Sequence, residues 1–260
     1  MSDVATPPRT GPRTEVVVVV VVLVLVLVAL LMKVTMDDDP DHRVAVDRGG
    51  REQAVLTVAS GADSITVRAD DVGGDLAVVT TPDGSRAAPV ADLDGDDLVV
   101  RTTDLRDDGD DDDGFFGDED RRADGPADVV VRLSRDVRWD VVVAGGAQRL
   151  TLDLTGAKAG RVEVRSGQGS IDATLPEPEG LLALTIAGGA GTVAVHVPDG
   201  VPVRLALDAG AGSAALDDDR RSGLGAGTSL TTPGWTGDGD RVEVDATSGV
   251  GTATVDRRIS

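Results

Sequence analysis

Residues 162–173 read VEVRSGQGSIDA, and residues 184–195 read LTIAGGAGTVAV. In each, two apolar residues spaced two apart precede a glycine, and two more follow it. Val162 and Val164 lead to Gly167, then Ile171 and Ala173; Leu184 and Ile186 lead to Gly189, then Val193 and Val195. Side chains two apart share one face of a strand, so each phrase predicts two short, half-buried strands joined at a turn. The frame recurs around Gly146 (Val141, Val143, Leu150, Leu152), Gly210 (Leu205, Leu207, Ala214, Leu216) and Gly249 (Val244, Ala246, Ala253, Val255). Gly61 fits it too, with Leu56, Val58, Ile65 and Val67.

From Gly146 to Gly249 the successive spacings are 21, 22, 21 and 39 residues. A period of about 21 residues holding two strands and two turns is what a β-solenoid rung requires. One rung cannot bury its apolar face alone, whereas rungs stacked at about 4.8 Å bury a continuous one. The long gap reads as one period plus a polar insertion at 217–240. The expected fold is therefore mainly β, a single-domain solenoid; an antiparallel β-sandwich built from similar hairpins is the alternative. Gly61, Gly146, Gly167, Gly189, Gly210 and Gly249 are expected as structural turn glycines, through positive φ or close backbone approach. They should reject β-branched residues, while Gln168, one residue further on, should tolerate them.

The phrase Gly-x-Gly-Ser/Thr recurs at Gly167–Ser170, Gly189–Thr192, Gly210–Ser213 and Gly249–Thr252, and Thr231-Thr-Pro-Gly-Trp235 precedes the last copy. With these residues the region 46–258 resembles the bacterial toast-rack and putative-adhesin β-solenoid domains. That family is related to the C-terminal domain of membrane proteins of the cell-wall-antibiotic stress response. The resemblance implies a β-solenoid, association with the cell envelope and no catalytic residues. A single apolar span, where the stress-response proteins have several helices, departs from a kinase-regulating role.

Composition narrows the classes further. With 40% hydrophobic residues but two Trp, two Phe and no Tyr, a core must be built from Val, Leu, Ile and Ala. The 25 Lys and Arg against 46 Asp and Glu give a net charge of −21, which argues against nucleic acid or an anionic lipid surface as general partner. Without cysteine there are no disulfides, thiolate chemistry or cysteine metal sites.

Val16 to Met32 is an unbroken apolar run, about 25 Å as a helix and extended to Met36 if Lys33 snorkels. It is longer than a signal-peptide core, and 30–39 (LLMKVTMDDD) holds no small-x-small cleavage site, so a retained transmembrane helix is favoured over a cleaved signal. The expected layout is a tail at 1–15, an anchor at 16–36, an acidic stalk at 37–45 and the β domain at 46–258. Basic residues near the span's two ends nearly balance, so orientation rests on layout. A short tail, one span and a large acidic domain predict a single-pass cell-membrane protein with its domain outside.

Asp104 to Asp128 carries twelve acids and three Arg and reads as a solvated loop. An EF-hand reading fails, because Gly109 would occupy the first ligand position. Three residues beyond each repeat glycine stand Ser64, Arg149, Ser170, Thr192, Ser213 and Thr252. The hydroxyl residues Ser64, Ser170, Thr192, Ser213 and Thr252 form a candidate surface ladder, fit either to face a polymer or to bond across rungs. His196 lies between Val195 and Val197 and is expected on the surface. Asp153 and Asp172 are candidate neighbours on adjacent rungs, at different offsets. No P-loop, nucleophile elbow or HExxH occurs. The reading is a non-enzymatic, membrane-anchored envelope protein with an adhesin-like domain and a structural or stress-sensing role. It needs no cofactor or metal, and its partner is a cell-wall polymer or a membrane protein rather than nucleic acid. The alternatives are a carbohydrate-active solenoid enzyme or a partner of a membrane sensor kinase.

Overall fold

The computed structural model describes residues 42–83, 85–104 and 127–257. The expected anchor at 16–36 and most of the acidic segment lie outside the described residues. Among the described residues no helix is long and apolar enough to cross a membrane. The strands, in chain order, are β1 (Arg43–Asp47), β2 (Gln53–Val58), β3 (Ala62–Asp70), β4 (Asp75–Thr80), β5 (Ala87–Asp94), β6 (Asp97–Asp104) and β7 (Asp128–Ser134). They continue as β8 (Arg138–Val143), β9 (Ala147–Asp153), β10 (Lys158–Val164), β11 (Gln168–Thr174), β12 (Leu181–Ile186) and β13 (Ala190–Val197). The last are β14 (Val203–Leu207), β15 (Ala211–Leu216), β16 (Asp219–Leu224), β17 (Thr228–Thr231), β18 (Arg241–Ala246) and β19 (Val250–Arg257). Residues 43–45, read above as stalk, open β1. The insertion at 217–240 contains β16 and β17 and so is folded chain.

These strands form two mixed sheets. The first runs β1-β4-β7-β3-β9-β11-β13-β19-β15-β16, the second β17-β14-β18-β12-β10-β8-β2-β6-β5. Interior pairs are parallel and the pairs at the ends antiparallel, so the wholly antiparallel sandwich is excluded. The repeat frame accounts for the core. In the first sheet Ile65, Leu150, Ile171, Val193, Ala253 and Ala214 pair in one row. In the second, Leu56, Val141, Val162, Leu184, Val244 and Leu205 do the same. All are buried between the sheets. At about 25 cal/mol per Å² of apolar area, such continuous rows are the main source of stability. Trp139, fully buried, lies level with Ala54 and Ala159 and donates its indole N–H to Ser134 O at 2.9 Å.

Two features depart from the expected order. The repeat around Gly249 does not follow that around Gly210 in space: β18 lies between β12 and β14, and β19 between β13 and β15. The long gap is thus a return crossing, and the last repeat is inserted into the stack. In addition, β6 and β7 form a further copy of the frame. Leu98 and Val100 lie beside Leu56 and Val58, and Val129 and Val131 beside Ile65 and Val67. The acidic segment leaves from the corner of this copy, where its neighbour uses residues 59–64.

The corners explain the glycines differently from the sequence reading. Among the six turn glycines only Gly210 has positive φ, at 83°. A Cβ on Gly189 would meet Gly249 O at an ordinary 3.6 Å, and one on Gly249 nothing within 4 Å. Close backbone approach does hold at Gly61, Gly146 and Gly210, where a Cβ would stand 2.9, 3.1 and 2.5 Å from Gly146 O, Gly167 O and Leu224 O, but further crowding falls one residue earlier and two later. A Cβ on Gly145 or Gly188 would stand 2.0 Å from Ser60 O or 2.1 Å from Ser166 O. On Gly169, Gly191, Gly251 and Gly212 it would stand 2.4, 2.6, 2.4 and 2.7 Å from a carbonyl of the neighbouring repeat. In spatial order the position before the turn glycine reads Ser60, Gly145, Ser166, Gly188, Ser248, Ala209, so serine alternates with glycine through its first five members. The Ser166 and Ser248 hydroxyls donate to Ala144 O and Ala187 O.

Gln168 is also unlike its expectation. It is buried at 5% exposure; its Oε1 accepts the Ala147 N–H at 2.9 Å, and its Nε2 donates to Gly145 O at 3.0 Å and Ser166 O at 3.1 Å. It ties two corners together and is not a tolerant site.

Three outcomes follow. Gly191→Ala should destabilise by about 1–3 kcal/mol, the range for overpacking, whereas Gly189→Ala should stay within about 0.5 kcal/mol. Urea unfolding of both variants checks the order, and the reverse order refutes the corner geometry. Gln168→Leu strips three backbone groups of a partner and should cost about 1–3 kcal/mol by the same measurement. Replacing residues 105–126 with a short Gly/Ser linker should preserve one cooperative thermal transition, because β6 and β7 are each held by a parallel neighbour and closure entropy depends only weakly on loop length. A broadened or split transition would contradict this.

Candidate functional site

The outer face of the first sheet presents residues that alternate with the core rows. Three residues after each turn glycine, Ser64, Arg149, Ser170, Thr192, Thr252 and Ser213 pair in register across six strands, β3, β9, β11, β13, β19 and β15. Two residues on, the next row is Thr66, Thr151, Asp172, Ala194, Thr254 and Ala215. From β11 to β15 this surface is flat and built from short side chains. Part of the ladder is spent internally: Ser213 Oγ donates to Thr252 Oγ1 at 3.2 Å, and Ser64 Oγ to Asp128 Oδ1 at 2.7 Å. Ser170 Oγ reaches Gln148 O at 3.4 Å. These bonds join neighbouring repeats.

The third row holds the titratable groups: Arg68, Asp153, Thr174, His196 and Asp256 pair across β3, β9, β11, β13 and β19. His196 Nδ1 lies 2.5 Å from Asp256 Oδ1, and its Nε2 lies 3.5 Å from Asp172 Oδ1. Its side chain is 32% exposed. Sequence reasoning kept His196 on the surface but missed Asp256 as its partner, because it took chain order for stacking order; Asp172 lies on β11, the neighbour that chain order also gives. Asp256 becomes its neighbour only when the last repeat is inserted beside β13. Asp153 and Asp172 are on adjacent strands but opposite Thr174 and Thr151 respectively, so they are not a facing pair.

The arrangement limits the available chemistry. The two carboxylates address opposite nitrogens of one imidazole, so they cannot converge with it on a single cation. Among the described residues no group of three His, Asp or Glu is placed to hold a metal. Thr192 lies four residues up the same strand from His196, about 13 Å away at 3.3 Å per residue, beyond reach for proton transfer. Beside this row Arg257 forks onto Asp217 at 2.9 and 3.0 Å and donates to Val201 O at 2.7 Å and Pro198 O at 3.2 Å, a brace across β19 and the turn after β15.

The second sheet's outer face carries ion pairs. Arg204 Nη2 lies 3.0 Å from Asp245, and Arg241 Nε 3.5 Å from Glu243. Arg165 forks onto Glu163 at 2.9 and 3.0 Å, and its hydrogen bond holds the Glu163 carboxyl below the ordinary carboxylate range. On β16, at the edge of the first sheet, Arg221 does the same for Asp219. Both shifts come from exposed partners two residues away in sequence, which is surface pairing rather than tuning of a reactive group.

No protein-family model matches the chain, and no curated protein does. Among solved structures it is similar to a "putative cell adhesion protein" from Clostridium sporogenes, with 14% identity over 83% of this chain and 98% of that one, at a TM-score of 0.57. The chain has an adhesin-like β fold. At this identity the likeness is one of fold alone. A "putative adhesin" from Bacteroides fragilis matches 82% of this chain and 96% of that one at 11% identity, but its TM-score of 0.27 supports no structural argument.

Proposed function

We propose that this chain is a non-enzymatic, membrane-anchored envelope protein whose adhesin-like domain is a β-solenoid of the toast-rack kind, held outside the membrane by residues 16–36 to play a structural or stress-sensing role. The observation that carries the reading is the in-register parallel stacking of the two-strand repeats. It turns a short sequence phrase into a rigid slab with two broad outer faces. One face carries rows of short Ser, Thr and Ala side chains from β11 to β15, with Asp172, His196 and Asp256 grouped on the same strands, and the short rows suit contact with an extended polymer such as cell wall better than chemistry on a small substrate. The fold it shares with the Clostridium protein supports the same reading.

Topology is the test, because an outward domain meets wall polymer and an inward one does not. The chain has no cysteine, so one introduced thiol reports without background. Ser229 is exposed but belongs to β17, so Asp238, exposed in the stretch between β17 and β18, is the better position. In intact cells Asp238→Cys should react with a membrane-impermeant maleimide, and Thr6→Cys only after lysis, with both proteins in the membrane fraction. Labelling of Thr6→Cys outside with Asp238→Cys protected would overturn the envelope reading.

A further inference from the structure

A second place for recognition lies on the other sheet, where the stacking is irregular. The register of β10 against β8 shifts between Ala159 and Arg161, and the skipped residue is Gly160. A Cβ there would stand 3.0 Å from the Arg138 guanidinium and 3.1 Å from Asp140 Oδ1, so these two side chains lie over the glycine. Next to them opens a cleft of about 260 Å³ lined by Gln53, Ala54, Val55, Asp96, Arg138 and Asp140. Its polar groups are fixed from outside. Asp140 Oδ1 accepts the Arg161 N–H at 3.0 Å, and Arg138 is drawn towards Glu179 at 3.5 Å. Asp96 faces Arg51 at 3.6 Å, and Arg51 is anchored on Gly95 O at 2.9 Å and Arg48 O at 3.0 Å.

We infer that this cleft binds one terminal unit of a neutral saccharide. The lining presents both signs of charge, two carboxylates and one guanidinium. A cation would face the Arg138 guanidinium, and an anion would face Asp96 and Asp140. A neutral polyhydroxylated ring uses both signs: its hydroxyls donate to the carboxylates and accept from the guanidinium and the Gln53 amide. Val55, which alternates outward with Gln53 on β2, supplies an apolar wall for its C–H face. The volume falls just below the roughly 300–1,000 Å³ of sites for drug-sized ligands, which fits a single ring. The cleft is separate from the Ser/Thr face, and the inference holds whichever side of the membrane the domain occupies.

The test uses the full chain in detergent micelles on an array of immobilised neutral glycans, followed by calorimetric titration of the free terminal monosaccharide of the strongest hit. Retention by a subset sharing one terminal sugar is expected, with millimolar affinity for that sugar. Arg138→Met and Gln53→Ala should each weaken it about tenfold or more, at unchanged thermal midpoint. Gly160→Leu should abolish it by displacing Arg138 and Asp140. Gln53 is exposed at the start of β2, so its variant tests the site even if the other two fold poorly. A blank array, or binding indifferent to Gln53→Ala and Arg138→Met, overturns the inference. So does binding lost instead in Thr192→Val, which would move recognition to the Ser/Thr face and leave the envelope reading standing.

Discussion

Everything in this fold depends on how closely one backbone can pass another at a corner. Within the sheets neighbouring strands keep the ordinary spacing of about 4.8 Å, and side chains alternate inward and outward without conflict. At the corners the chain turns from one sheet to the other, and the carbonyl of one repeat points at the α-carbon of the next. At Gly145, Gly188, Gly169, Gly191, Gly251 and Gly212 that carbonyl occupies the place of a Cβ. The alternation of serine and glycine follows from the same geometry. A serine supplies the intruding carbonyl to the glycine on one side, and Ser166 and Ser248 bond a carbonyl of the repeat on the other. The rule therefore links pairs of repeats rather than single ones.

The same economy governs the ends. A stack of parallel strands leaves open edges that would template further pairing, and three of the four sheet edges here are closed by a strand running the other way, β16, β17 and β5. At one end β16 and β17 fold back on β15 and β14. The turn into β16 uses Asp217 at φ 51°, pinned by Arg257. β16 is exposed along most of its length and carries Asp219, Arg220 and Arg221, charges that discourage another strand from docking. At the other end β5 carries Pro89, which has no N–H to offer, in the position where edge strands tolerate it. The insertion of β18 and β19 between older neighbours belongs to this economy. The chain passes along the cap before returning, so its C-terminal strand is buried in the stack and the edge falls to charged residues.

The strands and the core rows were legible because alternation at period two is a local signal. Leu56, Val141, Val162, Leu184 and Leu205 could be matched without knowing which touched which. Stacking order was not legible, since the frame around Gly249 fits equally well on either side of Gly210. The pairing of His196 with Asp256 was lost with it. The copy made by β6 and β7 was hidden because its corner, the only part of the frame with a distinctive residue, is replaced by the acidic segment. Gln168 was misjudged for a different reason. The position after the turn glycine holds Ala, Gln and Val in different repeats, which looks like tolerance, yet the side chain there turns inward. A lone amide among small residues at a buried position signals bonds to backbone, a warning the column itself contained.

A perfectly regular stack presents only flat faces, and flat faces recognise little by shape. Selectivity must come from places where the repeat fails, and the described chain has three. One is the corner opened by the acidic segment, another the inserted last repeat that brings His196 to Asp256, and the third the shifted register at Gly160. The first adds a run of charge whose residues 105–126 lie outside the described residues. The second spends its polar groups on one another, for His196 is committed to carboxylates at both nitrogens. The third leaves donors and acceptors of opposite sign facing one cleft with an apolar wall, held from behind by Arg161 and Arg51. The strain-free way for a repeat protein to acquire a binding site is thus to skip one residue in one strand and to make that residue a glycine, so that side chains from the neighbouring repeat can lie across it.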